Sequence, residues 1–398
     1  YKVTLVDKKN FNNPNKSFKD TRTVAVSEGS KFFLESLSLW SFLESHVEPI
    51  KNINVYDRSS RNKILFNNQI KNKQLGYVIE NKKFSKILIN QLKKFKNTKT
   101  HYGFNLTNVE LNDRGSRAFS NNTIINAKII IAADGKNSQI KKIVGNKTFK
   151  KNYNESALVL NIVHEKKLNN TAYEIFYKTG PLAILPMKSP KGSFQSTIIW
   201  SNDDTFLKKL ISLEDVFIKS FMEEKIGKVV GNISKINSLQ IFPLSAHIND
   251  SFINKRLIYV GDAAHSIHPI AGQGWNLGVN DVKNLYELSK NTKIDIGSDL
   301  FCKMYNDKSY HKAFELFQLT DKLNSHFIQS GNLYRLLSNV GFDIIEIPGR
   351  HFCCGSAGSY NLLQPGMGNR LKDLRVNPIN EVSVSNQKLS LSWKVLWS

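Results

Sequence analysis

Residues 256–285 read RLIYVGDAAHSIHPIAGQGWNLGVNDVKNL and carry the strongest functional signal in the chain. The stretch opens with Leu257 to Val260, a short apolar run typical of a fully buried strand in a parallel sheet. Gly261 and Asp262 follow at the carboxyl end of that strand. Because open α/β sheets bind ligands at this end, the Asp262 carboxylate is placed to accept hydrogen bonds from sugar or polyol hydroxyls.

A glycine-rich turn follows the strand and leads into a helix. The turn contains Pro269, Gly272 and Gly274, and helical apolar spacing begins at Val279. A turn of this kind offers free backbone N–H groups and the positive end of the helix dipole to an electron-rich ligand. The stretch therefore predicts a strand, a ligand-binding turn and a helix in direct succession.

The string G-D-A-A-H-x-x-x-P-x-x-G-Q-G-x-N-x-G, which starts at Gly261, resembles the second flavin motif of aromatic-ring hydroxylases that fold like para-hydroxybenzoate hydroxylase. Its His-Pro-Ile-Ala-Gly-Gln-Gly form is most similar to the branch that hydroxylates ubiquinone precursors. The resemblance implies FAD as the cofactor and makes His268 the candidate catalytic group at the flavin ring, with orientation of the turn as its alternative role. The cofactor contacts that it implies in this stretch are Gly261, Asp262, Pro269, Gly272, Gln273, Gly274 and Asn276.

Asp7 ends an alternating strand that begins at Lys2. In the dinucleotide-binding fold an acidic residue at the end of the second strand binds the adenosine ribose, about 20 residues after a G-x-G-x-x-G loop. Asp7 fits that role, and no such loop precedes it. We therefore expect a truncated product without the first strand, the glycine loop and the first helix.

Two further segments are similar to the same hydroxylases. The run D-x-R-x-x-A-x-S from Asp20 contains Arg22, which the resemblance places along the flavin, with a surface ion pair as the alternative. The run A-D-G-x-x-S contains Asp134 and Gly135, which the resemblance places near the flavin pyrophosphate and the pyridine nucleotide. Lys141 stands where the family usually has arginine, so the positive charge is kept but the paired hydrogen bonds of a guanidinium group are lost.

The fold predicted from these patterns is α/β, with a Rossmann-like FAD-binding domain and a mixed or antiparallel β-sheet substrate domain. Residues 1–155 and 244–340 form the first domain, with residues 53–75 partly in the substrate sheet. Residues 156–243 form the second, because their strands alternate and are rich in aromatic residues. Helical spacing from Phe301 to Leu337 predicts a helix that packs on the flavin domain or lies on a membrane.

The formal charge of +23 over 398 residues invites a nucleic-acid interpretation. The lysines, however, are scattered beside asparagine and isoleucine, and no basic helix is interleaved with aromatic residues. We expect no nucleic-acid partner, and attraction to an anionic membrane surface is an open alternative. No apolar run approaches the roughly 20 residues that span a bilayer, and no signal peptide is present. The expected location is cytoplasmic, peripheral on the inner membrane or in a biosynthetic complex.

Residues 341–398 are predicted to be a foreign or irregular tail. The segment around Cys353, Cys354 and Gly355 resembles the Cys-Cys-Gly segment of glycolate oxidase iron-sulfur subunits. A complete metal site needs about four ligands, and Cys302 is the only other cysteine in the chain. We therefore expect no metal site, and no disulfide framework.

The resemblance implies an FAD-dependent monooxygenase that hydroxylates the aromatic ring of a polyprenylated phenol in ubiquinone biosynthesis. Such an enzyme uses O2 and NAD(P)H through a flavin hydroperoxide. Three alternatives remain open from the residues alone. They are a non-hydroxylating flavin oxidoreductase on the same fold, a truncated inactive fragment, and an iron-sulfur electron-transfer module defined by the tail.

Overall fold

The computed structural model describes residues 1–11, 20–57, 63–67, 74–121, 123–190, 192–291 and 293–330. The strands in chain order are β1 (Val3–Asp7), β2 (Thr23–Val26), β3 (Glu48–Ile50), β4 (Asn52–Asp57), β5 (Lys63–Asn67), β6 (Gly76–Glu80), β7 (Thr98–Tyr102), β8 (Leu106–Leu111), β9 (Ser116–Ser120), β10 (Thr123–Ala127), β11 (Ile130–Ala132), β12 (Thr148–His164), β13 (Thr171–Tyr177), β14 (Gly180–Met187), β15 (Phe194–Asp203), β16 (Ile233–Asn249), β17 (Ile253–Asn254), β18 (Leu257–Tyr259) and β19 (His265–Ser266). The helices are α1 (Glu28–Ser36), α2 (Trp40–Leu43), α3 (Asn81–Leu92), α4 (Gln139–Val144), α5 (Asp204–Ile211), α6 (Asp215–Val230), α7 (Gly274–Asn291) and α8 (Asp299–Ser330).

Parallel strand pairs form the base of the nucleotide-binding part. Strand β1 pairs with β7 and β11 pairs with β18, both in parallel. Leu257, Ile258 and Tyr259 of β18 are completely buried, as expected for a strand covered on both faces. The buried strand predicted at Leu257 is therefore confirmed. Strand β1 differs from β18, because its residues Val3, Leu5 and Val6 are exposed.

An eight-stranded sheet forms the second layer, in the order β19-β16-β12-β15-β14-β13-β4-β5. Its neighbours are antiparallel except for β13 and β4, which run in parallel. One face packs against α5 and α6 in a core that includes Leu158, Ile198 and Trp200. Strands β4 and β5 lie at one edge of this sheet. The mixed sheet beside a nucleotide-binding layer is the expected fold class.

The boundaries predicted at residues 155/156 and 243/244 fall inside strands. Strand β12 starts at Thr148 and β16 continues to Asn249, so both strands run across them. The register between the two strands shifts between Asn152 and Ser156, and Asn154 has a positive φ of 55°. A β-bulge of this kind bends a continuous strand, which explains why the sequence pattern changes there without a break in the strand.

Helix α8 packs on the nucleotide-binding layer. Phe301, Tyr305 and Phe317 are buried in the same core as the β18 residues, and the Tyr305 hydroxyl donates to the Tyr259 carbonyl oxygen at 3.0 Å. Core packing, one of the two roles predicted for this helix, accounts for these contacts. Among the described helices, none combines the length and apolar composition that crossing a bilayer would require. The end of the predicted helix at Leu337, and the tail with Cys353 and Cys354, lie outside the described residues.

Candidate functional site

Asp262 lies in the short 3-10 turn Gly261–Ala263, which follows β18. Its side chain is exposed, and Gly261 before it has a positive φ of 56°. A Cβ at Gly278 of α7 would lie 3.2 Å from the Gly261 Cα. The two glycines therefore let the strand end and the helix approach closely, which holds Asp262 at the N-terminal part of α7.

The turn before α7 is built from residues 268–273. Pro269 starts a short 3-10 helix, and Gly272 ends it in the left-handed region at φ 60°, with its N–H donating to the Pro269 carbonyl oxygen at 2.8 Å. His268 is buried, and its Nδ1 accepts the N–H of Ile270 at 3.3 Å. The other ring nitrogen of His268, Nε2, faces the Glu155 carboxylate at a distance of 3.8 Å. The imidazole thus holds the turn in place.

Asp281 supports the Asp262 turn from α7, and the sequence patterns did not single it out. Its carboxylate is completely buried, and one oxygen, Oδ2, accepts the Gly261 N–H at 2.9 Å and lies 2.7 Å from the His265 Nε2. His265 is equally buried. Asp281 follows Gly278 by three residues, and this spacing, which puts both residues on one face of α7, was the available signal.

Asn276 ties α7 to the strand β2 and helix α1. Its Oδ1 accepts the Ser27 N–H at 3.0 Å and the Ser30 hydroxyl at 2.8 Å, and its Nδ2 donates to the Ala25 carbonyl oxygen at 2.9 Å. Gln273 is buried, and its carbonyl oxygen accepts the N–H of Leu277. The Asn276 side chain is thus engaged within the protein, and its contact with a cofactor stays a prediction.

Arg22 forms a bidentate pair with Asp20. The Nε–Oδ1 distance is 2.9 Å and the Nη2–Oδ2 distance is 2.7 Å, and the guanidinium lies 5.0 Å from the centre of the Phe242 ring. Burial raises the pKa of Asp20, but hydrogen bonds from Arg22 and Asn81 outweigh it and lower the pKa overall. Asp20 is therefore a further residue of the site that positions Arg22. Arg22 also lies close enough to Asp262 to favour ionisation of that carboxyl.

Asp134 caps the helix α4. Its Oδ2 accepts the N–H groups of Gln139 at 2.7 Å and Ile140 at 3.2 Å. Gly135 has a positive φ of 79°, and a Cβ there would meet nothing within 4 Å. The backbone at Gly135 is consequently open to the approach of another molecule.

Lys136 lies close to Asp262, and Lys141 lies close to Asp134. Lys136 donates to the Ser245 carbonyl oxygen at 3.0 Å, and Lys141 is buried with an Nζ that has no hydrogen-bond partner among the described residues. Burial and then Lys150 lower the pKa of Lys141. Burial, together with Lys141, His265 and Lys136, lowers the pKa of His247 to about 3, so this imidazole is neutral at pH 7.

The pKa of Asp262 is raised, because loss of hydration in the crevice outweighs the opposing effects of His265, Arg22 and Lys136.

Asp7 is placed elsewhere, at the end of β1, where its Oδ1 accepts the Lys9 N–H at 2.7 Å. Within the described residues no contact joins Asp7 to the Asp262 turn. The structure therefore brings Asp262, Arg22 and the turn before α7 (residues 268–273) together, and Asp7 lies apart from them.

Four observations fit FAD at this crevice. Asp262 presents an exposed carboxylate, the acceptor that polyol hydroxyls require. Gly135 and Gly272 have positive φ, and a Cβ at either would meet open space, so a ligand can approach the backbone there. Lys141 offers a buried ammonium without a partner in the described part of the chain, and an anionic phosphate would pair with it. Helix α7 adds N–H groups of its first turn, which a helix leaves unpaired.

The fold and this site define an FAD-dependent monooxygenase of the para-hydroxybenzoate-hydroxylase-like class, as the sequence predicted. The chain belongs to the FAD binding domain family, whose model matches residues 3–290. FAD is accordingly its cofactor.

Several known proteins are similar to the chain. The ubiquinone hydroxylase UbiL of Rhodospirillum rubrum is 25% identical over 331 residues, 82% of this chain and 76% of that protein. The 3-demethoxyubiquinol 3-hydroxylase of Escherichia coli is 24% identical over 276 residues, 69% of each chain. The structure of the p-nitrophenol 4-monooxygenase PnpA from Pseudomonas putida superimposes with a TM-score of 0.63 at 13% identity, over 85% of this chain and 90% of that one. The last likeness concerns the fold alone.

Proposed function

We propose that this protein hydroxylates the aromatic ring of a polyprenylated phenol in ubiquinone biosynthesis, using O2 and NAD(P)H. A ring C–H becomes C–OH with one oxygen atom of O2, and the other leaves as water with two electrons from NAD(P)H. The observation that carries the proposal is the position of the turn at residues 268–273, which packs on the eight-stranded sheet through contacts of Ile270 with Val55 and Phe176. The names of the two hydroxylase relatives support the substrate class.

Different residues of the site would contact different parts of the cofactor. Asp262 would accept hydrogen bonds from ribityl hydroxyls, and the backbone around Gly272 to Gly274 would donate to the ring edge. Arg22, positioned by Asp20, would lie along the cofactor, and Asp134 and Gly135 would lie near the pyrophosphate. Bound FAD would supply the hydride acceptance and O2 activation that side chains cannot. The protein's part is orientation and exclusion of water.

His268 is the candidate group beside the flavin ring. Because its Nδ1 accepts the Ile270 N–H, its ring proton belongs on Nε2, toward Glu155. We propose that His268 acts mainly by fixing the turn that carries the ring-edge N–H groups. Asp7 remains the proposed contact for the adenosine ribose.

Asp262→Ala should weaken FAD binding about tenfold to a hundredfold, because a hydrogen bond to a charged group contributes about 1.5–3 kcal/mol. Titration of FAD with protein, followed by quenching of flavin fluorescence, gives the dissociation constant. Asp262→Asn keeps an acceptor oxygen and should lose less. An unchanged dissociation constant in Asp262→Ala would remove Asp262 from the cofactor site.

The hydroxylation itself is tested with a short-chain prenylated phenol, NAD(P)H and O2. We expect a product heavier by one oxygen atom, with label from 18O2. Oxidation of NAD(P)H without incorporation of oxygen into the ring would instead support a non-hydroxylating flavin oxidoreductase.

Association with a membrane surface is a further part of the proposal. An apolar patch at the turn between α5 and α6 is formed by exposed side chains, which are Phe206, Leu213, Val216 and Phe217. Val216 and Phe217 are 68% and 62% exposed. Apolar insertion combined with the net charge of +23 would hold the protein at an anionic bilayer, where a polyprenylated substrate resides.

Phe217→Asp should reduce binding to vesicles of phosphatidylcholine and phosphatidylglycerol severalfold, because the exposed aromatic ring that would insert into the bilayer is replaced by a charge that anionic lipid repels. Co-sedimentation with the vesicles measures the bound fraction. Ile124→Asp, at another exposed apolar position (59%), serves as the matched control and should bind like the wild type. Equal losses in both variants would point to net charge alone.

A further inference from the structure

Glu174 lies in the middle of β13, on the sheet face that meets the nucleotide-binding layer. Its neighbours Tyr173 and Ile175 pack with the core under α5 and α6 on the opposite face. Side chains alternate between faces along a strand, so Glu174 shares its face with Ala172 and Phe176. Glu174 is partly exposed.

Two apolar contacts between the layers flank this carboxyl group. On one side Ala172 packs with Ile50, Leu75 and Val78. On the other side Phe176 belongs to a cluster that includes Ile270, which lies in the turn before α7. A strand rises about 3.3 Å per residue, so Glu174 lies about 7 Å along β13 from each contact. The Glu174 carboxyl group therefore lies between the two places where the layers are in contact.

The immediate neighbours of Glu174 are apolar. Val55 of β4 and Ala183 of β14 are its partners across the sheet. Loss of hydration raises the pKa of Glu174 to about 8, and no charged group or hydrogen bond contributes to this shift. At pH 7 the group is mostly a neutral carboxylic acid, with one O–H donor and a carbonyl acceptor.

Other titratable groups near this face are engaged with their own partners. Glu48 of β3 accepts a hydrogen bond from Asn170 at 2.7 Å. Glu155 accepts from Asn324 at 3.3 Å and lies 3.8 Å from the His268 Nε2. Glu174 differs from Glu48 and Glu155 because no described side chain forms a hydrogen bond with it, although its surroundings are apolar.

We propose that Glu174 is the residue that recognises the ring hydroxyl of the phenolic substrate, through a hydrogen bond between its carboxyl group and the phenol oxygen. The proposal rests on the proposed function for the class of substrate. The apolar side chains on either side of Glu174 would contact the ring and its prenyl chain, while Glu174 supplies the single polar contact. Such a contact discriminates strongly, because a ligand without the hydroxyl leaves the buried carboxyl group unpaired.

The test compares binding of ortho-prenylphenol and prenylbenzene to the full chain with FAD present, by isothermal titration calorimetry without NAD(P)H. Wild type should prefer the phenol about tenfold, since one hydrogen bond contributes about 1.4 kcal/mol at most sites. Glu174→Leu should bind both ligands equally. Glu174→Gln should keep most of the preference because its amide both donates and accepts. Glu224→Gln, at an exposed position on α6, is the control and should behave like the wild type.

The pH dependence separates recognition from a structural role. The acid form is present below a pKa of about 8 and is lost as the pH rises through it. The phenol O–H can donate to either form, and the carboxylate is the stronger acceptor, so the preference of the wild type should rise between pH 7 and 9, whereas that of Glu174→Gln should stay constant, since a phenol ionises only near pH 10. Glu174→Leu should unfold at a temperature no lower than the wild type, because it removes an unpaired polar group.

A phenol preference that persists in Glu174→Leu, or a pH dependence that persists in Glu174→Gln, would overturn the role of Glu174. These ligands are measured without turnover, so a chain that recognises the phenol through Glu174 and yet inserts no oxygen would contradict only the proposed hydroxylation. A chain that hydroxylates the phenol with equal preference in the wild type and Glu174→Leu would contradict only the inference about Glu174.

Discussion

Asp281→Ala is expected to lower the free energy of unfolding by about 3 kcal/mol, because each buried group left without its hydrogen-bond partner costs about 1–3 kcal/mol. The substitution leaves the His265 imidazole buried without its partner and the Gly261 N–H without its acceptor. Since Gly261 directly precedes Asp262, the turn relaxes and FAD binding should weaken more than tenfold. Urea denaturation measures the stability, and quenching of FAD fluorescence measures the binding.

Two further variants distinguish positioning of Asp262 from general damage. Asp281→Asn keeps the volume and one acceptor oxygen, so it should fold and retain FAD affinity within a few-fold of the wild type. Asp307→Ala, at an exposed position on α8, should change the unfolding free energy by no more than about 0.5 kcal/mol. If Asp281→Ala binds FAD as tightly as Asp307→Ala does, Asp281 has no part in orienting Asp262.

The order of strand, turn and helix around Asp262 was predictable because residue spacing alone specifies it. Apolar residues 257–260 need burial on both faces, and the glycines allow the close approach of Gly261 and Gly278. Asp281 was not predictable in the same way. A carboxylate on a helix is usually solvated, and only the register of α7 against the Gly261 turn shows that Asp281 is completely buried.

Glu174 illustrates a second limit of the sequence. Alternation correctly predicted a strand at Ala172 to Tyr177, and a polar residue in such a pattern usually marks the solvent face. Here the second face is covered by the nucleotide-binding layer, through Ala172 and Phe176. The chemical meaning of Glu174 therefore depends on the packing of two layers, and neither strand pattern nor composition contains that information.

Arg22 shows the reverse case, in which a motif identified the residue and the structure added its partner. The sequence left open a contact with the flavin or a surface ion pair. The Arg22 guanidinium forms an ion pair with Asp20 and lies over the ring of Phe242 in β16. A paired arginine is held in a defined direction, so the ion pair and a contact with the cofactor are compatible.

Gly180→Ala is expected to destabilise the eight-stranded sheet by about 4 kcal/mol, near the upper end of single-substitution effects. Gly180 begins β14 with a positive φ of 135°, and a Cβ there would overlap the Ser201 carbonyl oxygen of β15. Backbone atoms cannot yield as a flexible side chain can, so β14 must move away from β15. That movement would disturb the pairing of Leu182 with Trp200, both of which are completely buried. Urea denaturation followed by circular dichroism provides the measurement.

Gly103→Ala is the matched control, because it isolates the cost of positive φ from the cost of the clash. Gly103 has a φ of 77° in the turn after β7, and a Cβ there would meet nothing within 4 Å. The left-handed conformation alone should cost about 1 kcal/mol for alanine. The difference between the two variants, about 3 kcal/mol, then measures the contact between Gly180 and Ser201. Equal losses in Gly103→Ala and Gly180→Ala would mean that conformation, and not the approach of β14 to β15, requires glycine at position 180.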